Sequence, residues 1–348
     1  MKKIITSFTL LLLYVYTNGQ QPFTNNGNLQ IHPGASLSGF QNFTNANSGV
    51  LINNGNFYIK GNITNDQASM TPGTGILHLN GTSTQSVNGT QAFKTFNLIT
   101  DNTTGFSLNN NLSVSGAHTF TNGVIATSAT PNYLIYEAGS SYSGDADSRH
   151  VNGWVKKLGN TNFTFPVGNG TIERTAGVVN LSASSEINAR YQQPTQNIWN
   201  LQGPLVEVQT EEYWQIDKIS GGTAQIALNW DNSKVAFPIV LVSDIKVAHY
   251  NGGLWRSEGG TASGNVATTG TITSNAVSTF SPFTFGFETI PLPLNFISFT
   301  AERKTNYTLL KWTTANEQNV DHFAIERSND GVRFYDIGRI AARNSRYS

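Results

Sequence analysis

From Gln21 to Tyr136 the apolar residues fall singly or in short alternating runs, set apart by Asn, Gly, Ser and Thr. Runs such as Gly75-Ile76-Leu77-His78-Leu79 and Gly105-Phe106-Ser107-Leu108 alternate with a period of two, the pattern of a strand with one face buried. Helical periodicity is nearly absent. Between the runs stand Asn-Gly pairs, at Asn26, Asn54, Asn80, Asn88, Asn122, Asn152, Asn169 and Asn251. Asn and Gly accept the positive φ that tight turns and solenoid corners require. The pattern predicts an all-β chain.

The first part also echoes itself. Asn25-Asn26-Gly27-Asn28-Leu29-Gln30-Ile31 returns as Asn53-Asn54-Gly55-Asn56-Phe57-Tyr58-Ile59, and Leu108 to Gly116 is a third echo. Repeated short strands with Asn at the corners predict a β-solenoid over 20–140, of the right-handed parallel β-helix kind. Its Asn side chains are expected to hydrogen-bond from rung to rung, as amide ladders do in cross-β stacks. An ordinary sandwich with similar turns is the competing reading.

Near Asp145 the pattern changes. Strands are expected at Val151–Val155, Asn162–Val167, Ala176–Leu181, Tyr213–Asp217, Ala224–Trp230, Ile245–Tyr250 and Ser281–Phe287. Their spacing predicts a β-sandwich over 145–288. Ile290-Pro291-Leu292-Pro293-Leu294 then reads as a semi-rigid connector over 289–294. Charged residues become frequent after it.

Composition narrows the function. Between Gln21 and Tyr136 the only Lys, Arg, Asp or Glu residues are Lys60, Asp66, Lys94 and Asp101. An enzyme site needs acids, bases or metal ligands, and this stretch offers few. Charged residues are 12 % of the chain and the formal net charge is zero. With no basic stripe for a phosphate backbone, nucleic acid is not an expected partner. There is no cysteine, so neither disulfides nor an N-terminal lipid anchor is available. Met1-Lys2-Lys3 followed by an apolar run to Tyr16 has the form of a secretory signal peptide, with cleavage near Gly19–Gln20. That run is short for a membrane span, and no later segment is apolar enough for one.

The last segment carries a resemblance. Leu292 to Ala301, Leu310-Lys311-Trp312-Thr313-Thr314-Ala315 and Asp321 to Gly331, with Phe334 to Gly338, resemble the fibronectin-III-like domain beside the C-terminal sorting domain of type IX secretion cargo. Upstream, Phe163 to Gly168, Glu212 to Asp217, His249 to Trp255 and Ser281 to Gly286 resemble the large surface proteins of the same secretion systems. The resemblance implies a secreted or outer-surface protein of a Gram-negative bacterium, whose partner is the secretion machinery. About four strands are expected in 295–348, near Phe296, near Leu310, at Phe323–Arg327 and at Phe334–Ile340. A fibronectin-type sandwich has seven. The segment therefore reads as incomplete, the sorting domain as missing and the chain as truncated. The open half-sandwich should expose an apolar face and an unpaired edge.

No candidate chemistry rises above a structural reading. The histidines His32, His78, His118, His150, His249 and His322 are scattered, without zinc spacing. His78 is expected to point outward from a strand. Asp145-Ala146-Asp147 begins like a calcium loop, but Arg149 and His150 break the pattern. Glu207, Glu211, Glu212 and Asp217 form an acidic cluster. Glu211 and Glu212 should point to opposite faces of a strand, and solvated charge is the preferred reading over a glycosidase pair. Gly168-Asn169-Gly170 lacks the Lys and helix of a phosphate loop. Tyr250 and Trp255, on either side of the turn at Asn251-Gly252-Gly253, are the one proposed ligand-binding pair, through stacking on sugars. Packing inside the sandwich is the competing and favoured reading. No catalytic residue, cofactor or metal is assigned. The leading expectation is a non-enzymatic, adhesin-like or structural surface protein whose partners are surface glycans or other surface proteins. The alternative is a carbohydrate-binding or polysaccharide-degrading protein with its site in the sandwich.

Overall fold

The computed structural model describes residues 21–128, 130–238, 240–288, 295–315 and 322–342. The expected signal peptide and the proline connector lie outside them. The described residues are almost entirely strand and turn, with one short 3-10 turn at Val242–Asp244.

The chain divides into two compact units. In the first, residues 23–159 form a β-solenoid of about six turns. Its first face is a seven-stranded parallel sheet that runs from Phe23–Asn25 through Phe43–Asn45, Ile63–Asn65, Gln85–Asn88, Phe106–Leu108 and Ile125–Thr127 to Val151–Asn152. Its third face is a six-stranded parallel sheet from Ser36–Gly39 to Ser141–Ser143. The second face, between them, pairs Asn28–Ile31 with Val50–Asn53, and later stacks Phe93–Thr95, Leu112–Val114, Leu134–Tyr136 and Val155–Gly159. Inward residues of successive rungs close the core: Phe43, Leu51, Phe57, Ile63, Leu77 and Leu98 are all at most 1 % exposed.

Inside one corner runs an amide ladder. Asn25 Nδ2 donates to Asn45 Oδ1 and Asn45 Nδ2 to Asn65 Oδ1, each at 2.9 Å and each across 20 residues. All three are buried. The expected Asn stacking is therefore present, but its period is not that of the echoes. The repeat is Phe23-Thr24-Asn25, Phe43-Thr44-Asn45, Ile63-Thr64-Asn65. The Asn25 and Leu108 echoes turn from the first face to the second, whereas the Asn53 echo turns from the second to the third. The same corner chemistry serves two different corners.

One rung lacks a strand on the second face. At the position between Val50–Asn53 and Phe93–Thr95, side chains take over the ladder. Gln67 Oε1 accepts from the Leu51 N–H at 3.1 Å and from Asn45 Nδ2 at 2.8 Å. The Lys94 N–H donates to the Met70 sulfur at 3.4 Å.

The solenoid also runs further than its composition indicated. Val151–Asn152 pairs in parallel with Ile125–Thr127, and Val155–Gly159 with Leu134–Tyr136. Val151–Val155, expected to be a sandwich strand, is thus two strands of the last rung. The charge and tryptophan that suggested a new domain sit on a continued stack: Lys156 lies over the Tyr133 ring and Trp154 against its edge.

The second unit, 160–165 with 174–348, holds the antiparallel sandwich. One sheet has five strands, in the order Phe163–Phe165, Ala176–Val179, Gln225–Asp231, Thr269–Thr273, Thr261–Gly264. The facing sheet places Ser185–Gln192, Tyr213–Ser220, Phe283–Phe287, Ile245–Asn251 and Leu254–Ser257 side by side. An aromatic cluster fills the space between. Phe285 meets Trp214, Trp230 and Phe237 edge to face at 5.7, 6.1 and 5.0 Å, a favoured ring geometry. Gly270 is set by this packing, since a Cβ there would come within 1.8 Å of the Trp230 ring.

Residues 295–315 and 322–342 form two hairpins, Asn295–Arg303 with Thr308–Ala315 and His322–Arg327 with Tyr335–Ala341. The four strands are where the sequence placed them. Phe323 touches Phe296 and Trp312, while Phe299, Phe334, Tyr335 and Ile337 remain exposed.

Candidate functional site

The proposed sugar-stacking pair lies on one hairpin of the sandwich. Ile245–Asn251 and Leu254–Ser257 are joined by Gly252-Gly253, with φ of 63° and 85°. Two successive positive φ values make the tight hairpin turn that glycine permits. Tyr250 and Trp255 face each other across the ladder, their ring centroids 5.3 Å apart.

The two rings have different fates. Trp255 is 1 % exposed and packs with Leu205, Val208 and Ala248. Its indole Nε1–H donates to the Gln196 carbonyl at 3.0 Å. The Asn200 carbonyl accepts from the Trp255 N–H, and the Trp255 carbonyl accepts from the Gln202 N–H. Trp255 is therefore the anchor that ties the 196–202 loop onto the sheet, which is the packing alternative for this residue. Tyr250 is only half-buried.

Above that anchor is a shallow depression of about 260 Å³, lined by Gln196, Asn197, Tyr213, Gln215, Tyr250, Trp255, Ser281 and Pro282. None of these residues is acidic or basic. Gln215 is held in place, because its Oε1 accepts from Arg190 Nε and Nη2 at 3.0 and 2.8 Å and its Nε2 donates to Asp217 at 3.0 Å. Two residues beyond Asn197, Trp199 stands 87 % exposed on a backbone fixed by Asn200 N–H to Asn197 O. Sequence reading singled out neither Trp199 nor Tyr213. Trp199 sits in a Pro/Gln/Asn loop with no alternation to flag it.

The acidic cluster takes a different form from the solvated one expected. Glu212 is fully buried and holds Arg174 bidentately, Nε to Oε2 at 2.8 Å and Nη2 to Oε1 at 2.6 Å. Arg174 also donates to the Asn229 carbonyl and lies over the Trp214 ring, whose Nε1–H donates back to the Arg174 carbonyl. Glu211 is exposed, so the two neighbours differ in burial as expected, although both precede the strand Tyr213–Ser220. Burial on its strand holds the Glu207 carboxyl above its ordinary pKa. Glu212 is thus committed to a structural ion pair, which strand alternation alone could not show because its partner lies 38 residues away.

The histidines sit apart from one another. His32 is exposed, and His78 is half-buried on an outward position with its ring stacked on Tyr58 at 4.0 Å. His118 is fully buried between Thr100 and Tyr136, hydrogen-bonded at 3.0 and 2.8 Å. Desolvation pushes its pKa down to about 3. His249 pairs with Glu258 at 2.9 Å. Asp147 accepts from the Glu173 N–H, and Ala146 bridges to Arg149 in a tight turn. Gly168-Asn169 and Ile172-Glu173 form a small hairpin. Among the described residues no group of three or more His, Cys, Asp or Glu is placed to hold a metal ion. No protein family, curated protein or solved structure matches this chain.

Proposed function

We propose that this chain is an exported, non-enzymatic protein of the outer cell surface, structural or adhesin-like, delivered by a type IX-like secretion route. The observation that supports it most is the solenoid itself. One corner of it buries a file of neutral amides, Asn25, Asn45, Asn65 and Gln67, spent on holding one rung to the next, the construction of a scaffold. The expected leader rests on Met1-Lys2-Lys3 and the apolar run to Tyr16, and the fibronectin-III-like pattern of 295–348 and the delivery route rest on the sequence resemblance. No helix among the described residues is long and apolar enough to cross a membrane. The degradative alternative loses its best acid, since Glu212 is engaged by Arg174.

The test has two arms. Cells with a type IX system that carry the gene are treated with protease while intact, and the purified protein is N-terminally sequenced and incubated with a polysaccharide panel. A start near Gln20, protease accessibility and no turnover are the expected results. Retention of Met1 inside the cell overturns export, and release of reducing or unsaturated ends overturns the non-enzymatic reading.

A further inference from the structure

We infer that the depression between Tyr213 and Tyr250, together with the exposed Trp199 two residues along the loop from Asn197, binds the terminal unit of an uncharged glycan. This deepens the adhesin reading by naming a ligand class, and rests on that reading only in calling the glycan a surface one.

Three features of the depression lead there. The first is its chemistry. Gln196, Asn197, Gln215 and Ser281 supply donors and acceptors without charge, and Tyr213 and Tyr250 supply rings. A sugar presents this complement, hydroxyls that both donate and accept around the edge and C–H bonds on the faces. An anionic ligand would leave its charge uncompensated among amides, at a desolvation cost.

The second is preorganisation. The Gln215 amide is oriented from both ends by Arg190 and Asp217. The 196–202 loop is pinned to the sheet by Trp255, and Tyr250 packs on that same indole. Polar groups that are fixed before binding lose little entropy on contact with a ligand.

The third is Trp199. Trp199 carries a large, mostly apolar ring, yet it is 87 % exposed, in the loop that supplies Gln196 and Asn197 to the depression. Flat, rigid aromatic rings supply contact area at low entropic cost. The size fits a chain end: about 260 Å³ is below the ~300–1,000 Å³ of pockets that enclose drug-sized ligands.

The full-length purified chain is titrated with cellobiose, laminaribiose, xylobiose and chitobiose, and with digalacturonate as the charged probe, by isothermal calorimetry and tryptophan fluorescence. Saturable binding of at least one neutral disaccharide is expected. Trp199→Ala and Tyr250→Phe are then expected to behave differently: the first weakens binding by about tenfold, the second by about two- to threefold, both with an unchanged melting temperature. Trp199→Phe retains most of the affinity. The proposal is overturned by no saturable binding of any neutral probe up to about 10 mM, by binding of digalacturonate alone, or by neutral binding indifferent to Trp199→Ala. Because the assay uses purified protein, its outcome is independent of whether the chain is exported.

Discussion

The most extended buried polar arrangement differs between the two units. At one corner the solenoid uses a file of neutral amides bonded from rung to rung, so that Asn45 is at once the acceptor for Asn25 and a donor to Asn65 and Gln67. The sandwich uses one charged pair, Arg174 with Glu212, sealed under Trp214. A repeated fold can distribute its polar burden because every rung offers the same partner again. A sandwich has no such translation, so a buried charge there needs one dedicated counter-charge, here drawn from 38 residues away in the chain.

Breaking the charged pair is the harshest test of this contrast. Glu212→Ala leaves a buried guanidinium without its anion, which typically costs about 3–5 kcal/mol. Denaturant titration followed by far-UV circular dichroism and by proteolysis should show the sandwich lost first. A stability change under about 1 kcal/mol would mean that the pair is not the keystone of that unit.

Acid should reverse the order of loss. His118 is buried as the neutral imidazole with its pKa held down to about 3, against 6.5 for the unperturbed group. The unfolded chain therefore binds a proton that the folded solenoid refuses between those values. The stability this burial contributes is fully present above pH 6.5 and falls as the pH drops toward 3, by about 1.4 kcal/mol per pH unit. Solenoid unfolding measured at pH 7 and pH 4 should differ by about 3 kcal/mol. His118→Gln should flatten that slope, and an unchanged slope would show that other groups govern it.

The mildest tests compare positions within the ladder. Asn45→Ala strands buried amides on both sides, for a loss of about 2 kcal/mol. Asn109→Ala removes an exposed rung-to-rung bond to Asn88 of similar length, 2.8 Å, and should cost under about 0.5 kcal/mol. Equal losses in thermal melts would mean that the buried ladder has no advantage over the surface one.

Much of this architecture could be read from the chain. Alternation and Asn-Gly turns indicated strands and corners, and the Asn-rich echoes pointed to stacking. The period stayed hidden because rung length is uneven: Phe43 pairs with Ile63, but Ile63 pairs with Val87. The eight-residue strand Ser185–Gln192 was missed, although Ile187, Ala189 and Tyr191 alternate with Glu186, Asn188, Arg190 and Gln192 in the period-2 pattern of a strand. At the candidate site, Tyr250 and Trp255 were legible as a hairpin pair. Which ring faces solvent was not, because that depends on the 196–202 loop folding back over Trp255. Trp199 carried no local signal at all.

The rung that lacks its middle strand has a mechanical meaning. Where Gln67 and Met70 side chains replace a backbone ladder, adjacent turns are sewn by two seams and a pair of stitches, where the other junctions before the last rung have three seams. A pull along the stack concentrates on the weakest seam. Under load the solenoid should part there first, with the turns on either side still closed, so that yielding is graded and its starting point is written at Gln67.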